Sequence, residues 1–103
     1  MEVSLVFFGD RAMREINKTW RKRDKNANVL SFPLDESVGE VAVNPFEAER
    51  EARRYSISYK ERIVFLFVHG LLHLYGYDHK TLEDAKRMEK KEQEIMSSFY
   101  KKT

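Results

Sequence analysis

No cysteine occurs among the 103 residues. Disulfides and thiolate metal sites are thereby excluded, and any metal must be held by His, Asp or Glu. Neither sign of charge dominates: 19 Lys and Arg face 17 Asp and Glu, for a net charge of +2. That balance gives no global case for nucleic-acid binding, so a basic partner surface would have to be local. Long hydrophobic runs are missing too. The longest, residues 63–68, falls far short of the ~20 residues a membrane helix requires. The N-terminus has no charged-then-apolar signal region, and no repeat, low-complexity tract or linker interrupts the chain. A soluble, cytoplasmic protein with no membrane contact is the expectation.

What is present suffices for a core: 42% of residues are hydrophobic and 13% aromatic. The length suits one domain, residues 1–103. "VSLVFF" (3–8) is β-rich and reads as a strand buried on both faces. Asp10 is the expected cap of a helix carrying Ala12, Met13, Ile16 and Trp20 at helical spacing. "RKRDKN" is a charged loop, residues 28–33 a second strand stopped at Pro33, "DESVG" a turn, and residues 40–44 a third strand. Asn44-Pro45 opens a helix to about Tyr55, with Asn as cap and Pro in the first turn. Ser58 and Glu61 form a capping box ahead of residues 63–75, which are apolar almost all round and so belong in the middle of a domain. Gly76 is the natural left-handed end of that helix. Thr81 and Asp84 start a last helix with a stripe of Leu82, Ala85, Met88, Ile95 and Phe99. The order βαββααα predicts an α+β domain, a small mixed sheet packed against helices.

All three histidines lie within eleven residues, "HGLLHLYGYDH". His69 and His73 share a helix face with Cβ atoms ~5–6 Å apart, and His79 follows the Gly76 turn. The spacing H-x-x-x-H-x-x-G-x-x-H is that of metzincin zinc proteases without their glutamate. Three neutral imidazoles suit one Zn²⁺ per chain, at the end of the central buried helix, and leave a coordination position open, the pattern of catalytic sites. A lone His on an apolar helix is usually a satisfied core residue, but three at this spacing around a helix-ending glycine favour metal. Gly70 stands where the proteases carry their general base, which disfavours a peptidase. Asp78 reads as an outer partner orienting a ligand histidine or as a turn residue, ahead of a base.

A second signal is "KTWRKRDKN". Lys18, Arg21, Lys22, Arg23 and Lys25 place five cations in eight residues, with Asp24 opposing. Such runs are often solvated surface. Beside a metal site they gain weight: these cations are candidate RNA contacts, Trp20 could stack on a base, and an arginine can bind a phosphodiester bidentately. The acidic run Glu47, Glu49, Glu51 reads as helix N-terminal charge bias, and "KRMEKKEQE" as a solvent-facing helix.

"HGLLHLYGYDH" resembles, along its whole length, the signature of the YbeY family of bacterial metal-dependent endoribonucleases. "WRKRDKNANVLSFP", from Arg21 to Pro33, looks like that family's second signature, YR-x-K-D-K-x-x-x-VLSFP, and "GEVAV" is similar to its G-D-I-x-I strand. The resemblance runs from about Val3 to Met96. Arg23 stands where lysine is common, and Glu40 where aspartate is common. Family members carry a further strand and helix ahead of the one that opens this chain, so it implies a sheet one strand short and a smaller RNA surface. It also implies cleavage of single-stranded RNA, maturation of ribosomal RNA (notably the small-subunit 3′ end) and ribosome quality control. Ribosomal particles are then partners, and no small-molecule cofactor is needed. The motif histidines, His69, His73 and His79, would bind zinc, and Arg21 would be the arginine important for activity, clamping the phosphate. The nucleophile is either water or the RNA 2′-hydroxyl, with no base assigned. Two rival readings remain: a zinc metallopeptidase-like hydrolase, and a non-catalytic RNA-binding module stapled by metal.

Overall fold

The computed structural model describes residues 1–100, the last by its backbone alone. Its elements are β1 (Glu2–Phe7), α1 (Asp10–Arg21), β2 (Val29–Pro33), β3 (Val38–Val43), α2 (Pro45–Tyr55), α3 (Tyr59–Leu74) and α4 (Leu82–Tyr100). This is the expected βαββααα order, and the architecture is α+β. The sheet has strand order β1-β3-β2, with β1 parallel and β2 antiparallel to β3, so it is mixed.

Strand alternation divides the core in two. Val41 and Val43 point to one face, where Val29, Ala48, Leu66 and Phe67 pack with them. Leu30 and Ala42 point to the other and meet Met13 and Ile16 of α1. The third cluster lies beyond α3: Val68 and Leu72 pack on Met88, with Val64, Ile95 and Met96 around them. The helix is therefore buried on the sheet side and on the α4 side, which is why its sequence is apolar almost all round. Fully burying side chains such as Leu66, Val68 and Leu72 contributes roughly 1.5–3 kcal/mol each.

Several ends follow the local chemistry. The Asn44 side chain accepts from the backbone N–H groups of Phe46 and Glu47, and Ser58 accepts from Glu61. Thr81 Oγ1 accepts from Asp84 N at 3.0 Å. At the end of α3, Gly76 N donates to His73 O and Tyr77 N to Leu72 O. That pair of bonds is a Schellman closure, with Gly76 at φ +94.

Three expectations change. β1 is half exposed rather than buried on both faces: as an edge strand it leaves Leu5 and Phe7 39% and 52% exposed. Gly9, not Asp10, caps α1; the Asp10 carboxylate instead accepts from Asn44, Asn26 and Arg50. The α4 stripe is narrower than expected, since Leu82 and Phe99 are exposed while Met88 is buried. Glu92, one turn beyond Met88 on the same face, is buried as well.

Candidate metal centre and its two clefts

Helical pitch carries His69 and His73 of α3 side by side, with ring centroids 4.8 Å apart. The Gly76 turn brings His79 back to them, 5.2 Å from His73 and 6.2 Å from His69. Their candidate ligand nitrogens all lie within 4.8 Å of one another, compact enough for a single ion. Asp78 Oδ1 accepts from the backbone N–H of His79 at 2.6 Å, tightening the turn that presents this ligand. Burial, reinforced by the neighbouring imidazoles of His69 and His79, holds His73 below the ordinary histidine pKa. It is thereby kept in the neutral form that can ligate.

The carboxylate that touches a ligand ring comes from α4. Glu92 Oε2 lies 2.5 Å from His69 Nδ1, and Glu92 is 7% exposed. With Nδ1 engaged, His69 offers Nε2, the carboxylate–histidine arrangement that orients metal ligands and raises their basicity. Three imidazoles, one already braced by a buried carboxylate, make a donor set that fits a transition-metal ion. Reading "KRMEKKEQE" as solvent-facing missed Glu92, because nothing local distinguishes it from Glu89 or Glu94. Its spacing of four from the apolar Met88 was the available signal.

Gly70 has a different explanation from the missing base. A Cβ built there would stand 2.6 Å from Val41 Cγ1, 2.9 Å from Ser31 Oγ and 3.1 Å from Val29 Cγ2. The residue faces the sheet, and Ser31 Oγ donates to Gly70 O at 2.8 Å. Glycine is what lets α3 lie this close to β2 and β3.

Two clefts meet at the histidines. The first, of about 590 Å³, is lined by His69, His73 and His79 together with Arg21, Arg23 and Lys25. Lys18 and Lys22 do not line it. Trp20, 71% exposed, lies on an adjoining surface with Phe8, Ile16 and Phe32. Glu47 and Glu51 also face the first cleft, so the acidic run is more than charge bias at a helix start. Glu51 is 7% exposed and bridges two elements, accepting from Arg62 Nε at 2.8 Å and from Asn28 Nδ2 at 3.1 Å. Glu47 also pairs with Arg50, and Glu49 with Arg53, both at the exposed surface of α2. The second cleft, of about 780 Å³, lies between α3 and α4; His69 and His79 line it as well.

The basic loop is ordered by asparagines, a feature unseen in the sequence. Asn17, 3% exposed, donates to Lys25 O at 2.9 Å, and its own carbonyl accepts from Arg23 N. Asn44, fully buried, donates to Asp10 and to Asn26 Oδ1.

An α+β domain with three histidines converging at the end of its central helix, in a cleft that also carries Arg21, Arg23 and Lys25, defines a class: small domains with a histidine cluster close enough to hold one metal ion. The particular family follows from comparison. The family described as Endoribonuclease YbeY matches residues 1–100, and the chain belongs to it. Curated relatives named Endoribonuclease YbeY include that of Agrobacterium fabrum, 41% identical over 94% of this chain and 63% of the relative. That of Campylobacter jejuni strain RM1221 is 44% identical over 95% and 75%. A solution structure of a Thermotoga maritima protein aligns with a TM-score of 0.70 at 30% identity, covering 97% of this chain and 69% of that one. The chain spans about three fifths of its rhizobial relatives, 63% and 61% of their lengths. Among the described residues no helix is long and apolar enough to cross a membrane.

Proposed function

We propose that this chain is a single-strand-specific endoribonuclease holding one Zn²⁺ on His69, His73 and His79. It would act in the cytoplasm on ribosomal RNA, at the small-subunit 3′ end and in ribosome quality control, on ribosomal particles and without a small-molecule cofactor. The observation that carries this reading is the shared cleft: Arg21, Arg23 and Lys25 line the same depression as the three histidines. A bound zinc supplies Lewis acidity at the phosphodiester. Arg21 donates bidentate hydrogen bonds to the phosphate and offsets the charge that develops there. Arg23 and Lys25 raise the local positive potential and draw in the strand. Lys18 and Lys22, outside the cleft, serve flanking phosphates. Asp78 holds the His79 turn, and Glu92 holds the His69 ring.

A metallopeptidase is disfavoured twice. Gly70 offers no base, and its Cβ direction runs into the sheet. The test is elemental analysis of the purified protein paired with cleavage of single-stranded RNA, with and without chelator. Stoichiometric zinc and chelator-sensitive cleavage are expected. His73→Ala is expected to lose the metal and the cleavage together. A metal-loaded wild type that binds RNA without cutting it would convert the reading to the metal-stapled binding module. Product ends separate the nucleophiles: a 2′,3′-cyclic phosphate marks attack by the RNA 2′-hydroxyl, a 5′-phosphate attack by water.

A further inference from the structure

The two clefts that meet at the histidines differ in chemistry. The first carries Arg21, Arg23 and Lys25, groups suited to phosphate. Among the described residues the second carries no lysine, and its one arginine, Arg62, is already paired with the buried Glu51 at 2.8 Å, with side chains 14% and 10% exposed. That pairing holds the guanidinium carbon 4.9 Å from the Tyr55 ring centroid and 4.7 Å from that of Phe65. Phe65 in turn stacks on His69, with centroids 6.0 Å apart and planes 30° apart. A chain of contacts through Tyr55, Arg62 and Phe65 therefore leads along the cleft lining to a candidate metal ligand. Around it stand Glu61, Glu89 and Gln93. Glu47 and Glu51 of the first cleft are each paired with an arginine; the carboxylates here repel phosphate but accept from exocyclic amines, and the amide both donates and accepts.

We propose that this second cleft is a nucleobase subsite, receiving the base next to the phosphate held in the first cleft. This rests on the ribonuclease reading above and deepens it. Continuity with the metal centre supports it, because His69 and His79 line both clefts. So does size: about 780 Å³ falls within the ~300–1,000 Å³ of small-molecule sites. Tyr55, 51% exposed, presents its ring beside two guanidinium groups, those of Arg62 and of Arg54, the latter 6.0 Å from its centroid, and stacking on an aromatic face is tolerant of base identity. Because a duplex keeps its bases paired and stacked inward, a base pocket beside the phosphate cleft selects unpaired strands.

The test compares a 2′-O-methyl RNA octamer with an abasic octamer of the same length, by fluorescence anisotropy on the metal-loaded protein. Tyr55→Ala is expected to lose about five- to tenfold in affinity for the base-bearing octamer, as loss of one stacked base does, and nothing for the abasic one. Tyr55→Phe, which keeps the ring, is expected to match the wild type and controls for folding. Equal affinities of wild type and Tyr55→Ala for the base-bearing octamer overturn the subsite. So does an equal loss on both octamers, or a wild type that holds both alike or neither. Binding is the readout throughout, so a protein that binds as expected but cuts no RNA would sink the nuclease reading and leave the subsite standing.

Discussion

On one wall of the histidine cleft, α3 approaches β2 and β3 so closely that a single methyl group at Gly70 would overlap three side chains. On the other wall, cations exposed to solvent stand at the end of α1 and on the loop after it, whose geometry depends on the side chains of Asn17, Asn26 and Asn44. The first wall is set by shape and the second by hydrogen bonds. Shape is intolerant of added volume and indifferent to pH, while hydrogen bonds to a carboxylate weaken when it is protonated. The ligands His69 and His73 lie on the rigid wall, and the phosphate-facing cations lie on the adjustable one. A metal centre needs its donors held to a fraction of an ångström, whereas a strand of varying sequence needs cations that can follow it.

The comparison breaks first if the α3 wall accepts bulk. Gly70→Glu restores the residue the proteases carry, yet it should destabilise the fold by more than the ~1–3 kcal/mol of ordinary overpacking, since a carboxylate is also forced against apolar side chains. The urea midpoint measures this. A Gly70→Glu protein as stable as wild type would mean that α3 can lift from the sheet. Next in size is Glu92→Gln. The amide keeps the volume but loses the charge braced against His69, so metal affinity should fall ~10–100-fold while the fold survives. Competition with a chelator reads it, and unchanged affinity would leave Glu92 a merely structural neighbour.

How much of this was legible in the sequence depends on range. The i, i+4 histidines, the Gly76 turn and the Asn44-Pro45 helix start are all set within a few residues, where periodicity and capping speak directly. Apolarity all round residues 63–75 announced a helix buried on two sides, and it is. Glu92 was missed because its role exists only once α4 docks on α3. Gly70 was read for the side chain it lacks, but its necessity comes from β2 and β3, nearly thirty or more residues away in sequence. Asn17, Asn26 and Asn28 were invisible for the same reason, being ordinary loop and helix residues until Lys25, Asp10 and Glu51 are brought to them, and Asn44 was legible as a cap but not as a partner of Asp10 and Asn26. The strand β1 was overburied in anticipation because an apolar run does not reveal whether it lies at a sheet's edge.

On the adjustable wall the effects are smaller. Lys22 ends α1 in the left-handed region, at φ 58, where a side chain costs roughly 1–2 kcal/mol. Lys22→Gly should recover part of that, less the added freedom of the unfolded chain, for a gain of up to about 1 kcal/mol. Because Lys22 lies outside the histidine cleft and serves only a flanking phosphate in the proposed reading, RNA cleavage should fall modestly at most. A large loss of cleavage would move Lys22 into the working set of cations and weaken the division between the walls.

The smallest effect separates the walls by pH. The Asp10 carboxylate accepts from Arg50 at 2.6 Å, Asn44 at 2.8 Å and Asn26 at 2.9 Å. Led by the Arg50 hydrogen bond, these partners hold its pKa below the ordinary 3.8. A carboxyl whose pKa is lower in the folded state is one the unfolded chain protonates first as pH falls. Its contribution is therefore complete above the unfolded value of about 3.9 and drains away as pH drops through the folded one. The side chain is 47% exposed, so solvent screening keeps the contribution to at most about 1 kcal/mol. Asp10→Asn should thus cost stability at pH 6 and progressively less as the pH falls toward 2 and the wild type loses the same charge. The urea midpoints of the two proteins, followed from pH 6 to pH 2, should converge. The histidines are common to both proteins and cancel from the difference. Midpoints that stay equally far apart at every pH would show that the Asp10 cluster acts through packing, and the two walls would then differ in degree rather than in kind.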